Sequence, residues 1–198
     1  MPERIENMPK ISKENSKLGK IANISLPPIV SCKKDVPCKK ECYAMKSYKC
    51  YPNVKIAWDH NYDLWKSDSK AYFDGIDNYL HNKMPMFFRW HVSGDIPNVD
   101  YLDNMIKLAR DYKGTKFLAF TKQYELFKGK RIPSNLPIVF SAWPGYEMPK
   151  QTRFPIAFMQ DGTEDRVKNT IECPGNCENC GMCWNLKSIG KNVVFHKH

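Results

Sequence analysis

Apolar positions along the chain recur in two alternating periods, which predicts strands separated by helices. Ile24 to Val30 is a short apolar run that reads as a first strand. Trp58, Tyr62, Trp65, Tyr72, Phe73, Ile76 and Leu80 then recur mostly at three- and four-residue steps, predicting one amphipathic helix over about residues 54–82. Met86 to Val92 reads as a strand, and Asn98 as the cap of a helix that carries Leu102, Met105, Ile106 and Ala109 and stops near Gly114. Lys116–Thr121, Pro137–Trp143, Pro155–Gln160 and Asn192–His196 read as further strands, with a short helical turn over 123–128. Strands separated by helices imply parallel pairing. The expected fold is therefore α/β: a partial (β/α) barrel or an open, mostly parallel sheet of about six strands, fewer than the eight of a complete barrel. Residues 1–22 are polar and mixed in charge, and are expected to form a flexible arm ahead of a single domain over 23–198.

Two segments fall outside this pattern because cysteines interrupt them. Cys173, Cys177, Cys180 and Cys183 lie within one short run, and Cys32, Cys38, Cys42 and Cys50 form a looser set upstream. All eight cysteines belong to one set or the other. Thiolates this close repel one another unless a cation neutralises them, so the sets are expected to be metal-binding loops. Disulfides would need an oxidising compartment, and the polar N-terminus shows no apolar secretory segment. Gaps of three, two and two residues in the C-terminal run suit an iron–sulfur cluster, with the C-x2-C-x2-C portion matching ferredoxin-type ligation. Zinc is the alternative metal, although structural zinc more often uses two separated C-x2-C pairs. Trp184 is expected to lie over this site as an apolar lid. Upstream, Cys32, Cys38 and Cys42 supply three ligands, which leaves room for chemistry at a fourth position.

Charge adds a class of partner. The formal net charge is +10, and Lys33, Lys34, Lys39, Lys40, Lys46 and Lys49 interleave the upstream cysteines. Such lysines either offset thiolate charge or attract an acidic partner, nucleic acid or a host protein. At 42% hydrophobic residues the chain is expected to fold, yet no apolar run approaches membrane-spanning length, so no membrane role is expected.

Strand ends are where a parallel sheet collects chemistry. Strict alternation would place Arg89, His91 and Ser93 on one face of the second strand, with Gly94 and Asp95 following at its C-terminal end. Thr121 and Lys122, Ser141, Gln160 and Asp161, and His196 end other strands. This polar rim nominates Arg89, His91, Ser93, Gly94, Asp95 and Lys122 as cofactor- or substrate-binding residues. No catalytic residue is nominated.

The order of a Cys-rich loop, Arg89-Trp90-His91-Val92-Ser93-Gly94-Asp95, Phe120-Thr121-Lys122, the C-terminal cysteine run and Phe195-His196 resembles the phage "gene product 88" domain. That resemblance implies a phage or prophage origin and action in the cytoplasm of a bacterial host, and names no reaction. More distantly, a strand, a three-cysteine loop, a helix and a strand ending in Ser93-Gly94-Asp95 are similar to the radical S-adenosylmethionine core. That likeness implies that Cys32, Cys38 and Cys42 hold a [4Fe–4S] cluster, that Ser93, Gly94 and Asp95 face the amino-acid end of S-adenosylmethionine, and that the C-terminal quartet holds an auxiliary cluster. The upstream C-x5-C-x3-C spacing departs from that family's C-x3-C-x2-C. Three functions follow as expectations: an iron–sulfur enzyme, a metal-stabilised protein that binds nucleic acid or a host protein, and an electron-transfer protein.

Overall fold

The computed structural model describes residues 7–160 and 167–196. Seven strands form one sheet: β1 Ala22–Ile24, β2 Phe87–Trp90, β3 Lys116–Thr121, β4 Ile138–Ser141, β5 Ile156–Gln160, β6 Thr170–Glu172 and β7 Asn192–His196. Their order is β1-β2-β3-β4-β5-β7-β6, and every neighbouring pair is parallel. The first five strands lie in chain order, as in a (β/α) barrel, but β1 and β6 do not pair, so the sheet stays open. β6 is the strand that hydrophobic patterning misses. It has three residues, none fully buried, and pairs with β7 on one side only.

The helices are α1 Tyr43–Cys50, α2 Pro52–Ser67, α3 Ser69–Lys83, α4 Val99–Asp111 and the single turn α5 Cys177–Cys180. The long helix expected over 54–82 is two helices. Asp68 leaves the helical conformation (φ −146°) and its carboxylate accepts the Ala71 N–H at 2.9 Å, capping α3 while its own N–H closes α2 on Leu64. A short polar side chain that competes for backbone hydrogen bonds ends one helix and begins the next, without disturbing the apolar period on either side. The cap expected at Asn98 is present, with its side chain accepting from Tyr101 N–H at 2.9 Å. The first strand lies at Ala22–Ile24, upstream of the expected Ile24–Val30 and sharing only Ile24 with it, since Pro27 and Pro28 have no N–H to give a ladder.

Alternation along the strands separates two cores. Ile24, Phe88, Trp90, Phe117, Ala119 and Ile138 face the helices, where Tyr72, Ile76, Tyr101 and Met105 are fully buried. Leu118, Val139, Ala157 and Val193 face the other way, and are covered by Leu18, Ile21, Trp184 and Leu186. The segment before β1 therefore departs from a flexible arm over its described part. Leu18 and Ile21 are buried, Ser12 and Asn23 exchange backbone hydrogen bonds at 2.8 Å, and the Cys177 N–H donates to the Lys17 carbonyl at 2.9 Å. Asn61, fully buried on α2, fixes the same segment by accepting from Lys10 N–H at 2.7 Å and donating to the Lys10 and Ser25 carbonyls at 3.0 Å. The physical reason is coverage: without this segment and the C-terminal loop, one face of the sheet would expose its apolar side chains to water.

Candidate functional site: two thiol groups and a strand-end rim

The fold gathers the cysteines by different means at its two ends. The upstream set lies on the irregular segment after β1, where a 3-10 turn over Pro37–Glu41 leads through Cys42 into α1. Burial pushes the Cys32 thiol up to about 12, Asp95 adds to the rise, and Cys38 and Cys42 follow, against a lowering hydrogen bond from Ile29. Cys38 is likewise raised by burial, with Lys122 lowering it and Cys42 and Asp95 raising it. Asp95 and Cys42 thus act on both Cys32 and Cys38, and Lys122 acts on Cys38. Cys50 stands apart, exposed at the end of α1.

The C-terminal quartet surrounds one cavity on the other face of the sheet. Cys173, Cys177, Cys180 and Cys183 all line it, together with Trp184 and Val193. Trp184 is buried, donates from Nε1 to the Lys116 carbonyl at 3.1 Å and packs its ring 5.2 Å from Phe87. Gly181 at φ 61° turns the chain between Cys180 and Cys183, a conformation other L-residues adopt at a cost. Burial pushes Cys183 up to about 12; Arg89 lowers it and the three other thiols raise it. Cys177 is raised by burial in the same way, with Arg89 and Lys17 opposing.

Arg89 stands by the quartet and acts on Tyr43. Its guanidinium lies 4.1 Å from the centre of the Phe120 ring on the face that holds the quartet, and burial lowers its pKa. Tyr43, Cys183 and Cys177 offset that lowering. Tyr43 is exposed, its hydroxyl donates to the Val92 carbonyl, and it is influenced by Arg89 and then by Cys42, Cys32 and Cys38. Sequence reading did not nominate Tyr43, since one tyrosine at a helix start carries no pattern.

Arg89 and His91 do not share a face. Strand β2 ends at Trp90, and His91 takes φ 54°, which turns its ring onto the helix side, 5.3 Å from the Tyr101 ring. Both of its ring nitrogens, the Ser93 hydroxyl and Trp90 Nε1 are buried without a hydrogen-bond partner among the described residues. Gly94, at φ 80°, is in close packing: a Cβ there would stand 2.4 Å from Ser31 Oγ and 3.0 Å from the Leu26 carbonyl oxygen. The Asp95 carboxylate accepts from Ile96 N–H at 2.7 Å and from Lys122 N–H at 2.9 Å, so Lys122 meets it through the backbone. Burial raises Asp95, and its hydrogen bonds to Thr121, Lys122 and Ile96 oppose the rise. Elsewhere on the rim, Ser141 accepts from the Tyr124 hydroxyl through its carbonyl, and His196 lies 4.0 Å from Glu172. Gln160 is buried, and Asp161 lies outside the described residues.

Gly94→Ala is expected to lower the unfolding free energy by about 2–5 kcal/mol in urea denaturation, from left-handed backbone strain and overpacking against Ser31 and Leu26. Gly145→Ala has φ 72° but open space, and should show the strain alone, about 1–2 kcal/mol. Equal losses would mean that close packing at Gly94 contributes nothing.

Among the described residues no group of three or more His, Cys, Asp or Glu side chains is gathered closely enough to hold a metal ion. The donor chemistry nevertheless fits a cation. Half-buried thiols that raise one another stay protonated alone, and a cation is what allows them to ionise together. S-adenosylmethionine is not fitted in this way: Gly94 is packed against this chain's own Ser31 and Leu26, and Ser93 is buried.

Comparison with known proteins agrees with part of this picture. The "Gene 88 protein" of Mycobacterium phage D29 is 25% identical over 190 residues, spanning 80% of this chain and 78% of the phage protein. No solved structure matches. Neither finding supports the radical S-adenosylmethionine likeness. The family match, "Gene product 88", runs over residues 4–168, so it takes in the upstream cysteines and the rim as far as Asp161, and ends before Cys173 and His196. The chain belongs to the gene product 88 family.

Proposed function

We propose that this phage-type protein is a metal–thiolate protein working in the cytoplasm of an infected bacterium, with an open centre at Cys32, Cys38 and Cys42 and a closed one at Cys173, Cys177, Cys180 and Cys183. The lining of the C-terminal cavity carries the reading: all four cysteines of that set face it, while Asp95 acts on both Cys32 and Cys38 of the upstream set. The spacing of the C-terminal set favours an iron–sulfur cluster, and its four thiols line one cavity. Zinc is the alternative occupant. The closed centre would brace the loop that covers the sheet, since metal-binding energy at such loops is folding energy. The open centre, beside Asp95 and Lys122, is where a substrate or electron partner would approach. No described helix is long and apolar enough to cross a membrane.

Anaerobic purification followed by iron, acid-labile sulfide and zinc analysis tests this. Brown protein with iron and sulfide in comparable amounts is the expected result. Colourless protein with stoichiometric zinc would keep the thiolate centres and remove the iron–sulfur assignment, and metal-free protein of full stability would remove both.

A further inference from the structure

The segment after β4 carries the sequence Trp143-Pro144-Gly145-Tyr146, and it closes as a tight turn with Tyr146 N–H donating to the Trp143 carbonyl at 3.0 Å. Proline second and glycine third, the glycine at φ 72°, are what a type II turn requires. Two half-buried aromatic rings are thereby fixed at the two ends of one turn. Each has a lysine from a different part of the chain upon it. Lys122, just past β3, places Nζ 5.4 Å from the centre of the Trp143 ring. Lys33, from the loop after β1, donates from Nζ to the Tyr146 hydroxyl at 3.2 Å and stands 5.6 Å from that ring's centre. Tyr146 is backed by Tyr124, 5.8 Å away, whose hydroxyl is tied to Ser141. The rings are positioned by the turn and the core, so a ligand need not order them.

We propose that this turn and its two lysines form a platform for single-stranded nucleic acid, on which an unpaired base stacks against Trp143 while Lys122 and Lys33 receive its phosphates. Aromatic rings with adjacent cations are the chemistry by which proteins hold unpaired strands, because every base has a face to stack and every nucleotide a phosphate. A duplex keeps its bases stacked inside and offers the ring nothing. An acidic peptide would use the lysines and leave the rings idle. Lys34, Lys39 and Lys40 on the loop that bears Lys33, and a net charge of +10, extend the attraction beyond the turn. The platform adjoins the open centre, since Lys122 acts on Cys38. It deepens the proposed function by naming the partner class at that centre, yet needs no metal to bind.

The test is fluorescence anisotropy with labelled single strands of about 15 nucleotides, DNA and RNA, and the matching duplex, across a salt series, on anaerobically purified protein of measured metal content. Trp143→Ala should weaken single-strand binding about 5- to 100-fold, and Trp143→Phe should retain most of it. Lys33→Gln with Lys122→Gln should flatten the slope of log affinity against log salt by about 1.4, and this reading survives should Trp143→Ala fold poorly. Absence of binding to either single strand overturns the proposal. So does duplex binding of equal strength that is indifferent to Trp143→Ala, or displacement of the strand by an acidic peptide at equal charge concentration. Intact single-strand binding by metal-free protein would leave the platform standing and count against the metal centres alone.

Discussion

Cys177→Ser, made anaerobically, is expected to lose most of the metal bound at the quartet and to melt about 8–16 °C below the parent. A ligand that binds only the folded state at a thousand times its dissociation constant adds about 4 kcal/mol of stability, which corresponds to that shift in a domain of this size. Cys177 is the sharpest place to ask, because it opens α5, lines the cavity, and its N–H holds the Lys17 carbonyl of the segment covering the sheet. Serine keeps that backbone hydrogen bond and nearly the same size, so a large loss reports the thiolate and not the packing. Cys50→Ser is the control: exposed and apart from the other thiols, it should match the parent in both metal and melting temperature. If Cys177→Ser also matches the parent, the quartet is not a metal site. If Cys50→Ser loses metal, Cys50 completes the upstream set as a fourth ligand.

Sequence patterning reaches much of this fold and stops at identifiable places. The strands at Phe87–Trp90, Lys116–Thr121 and Ile138–Ser141 were legible because their alternate side chains serve two different cores, so the period of two is written in apolar residues. β6 was not, since a half-exposed edge strand of three residues has no burial to record. The helix over 54–82 misled because a capping aspartate changes the chain's direction without changing its hydrophobic period. At the site, the spacing of the C-terminal cysteines pointed to residues that line one cavity, whereas the Arg89–Tyr43 link was not legible, because it joins a strand and a helix start that only the fold brings together. His91 shows the limit most clearly. Alternation assigns it to the face of Arg89, and a single left-handed residue overrides alternation. Trp-Pro-Gly-Tyr carries its turn in plain residue types, yet Trp143 was read as the end of a strand over Pro137–Trp143 that stops at Ser141.

Acid is expected to destabilise the protein through His91, and His91→Asn should remove that part of the loss. The imidazole is buried against Tyr101 and Trp90, and burial, with Arg89 adding repulsion, lowers its pKa to about 3 from an ordinary value near 6.5. The folded state therefore holds His91 neutral where the unfolded chain takes up a proton. Stability from this residue is complete above pH 6.5 and declines as pH falls, until the folded form is itself protonated near 3. At about 1.4 kcal/mol per pH unit, the loss reaches about 3 kcal/mol by pH 4. Burial raises Asp95 and so acts in the opposite sense, which is why the difference between parent and variant is the quantity to read. Asparagine suits the test because it accepts the left-handed backbone at φ 54° and does not titrate. Urea denaturation of both proteins from pH 7.5 down to about 4 should show the parent falling more steeply, the two curves diverging below about pH 6.5 by close to one proton's slope. Parallel curves would mean that His91 finds a proton acceptor or solvent in the folded state, and that its burial carries no electrostatic cost.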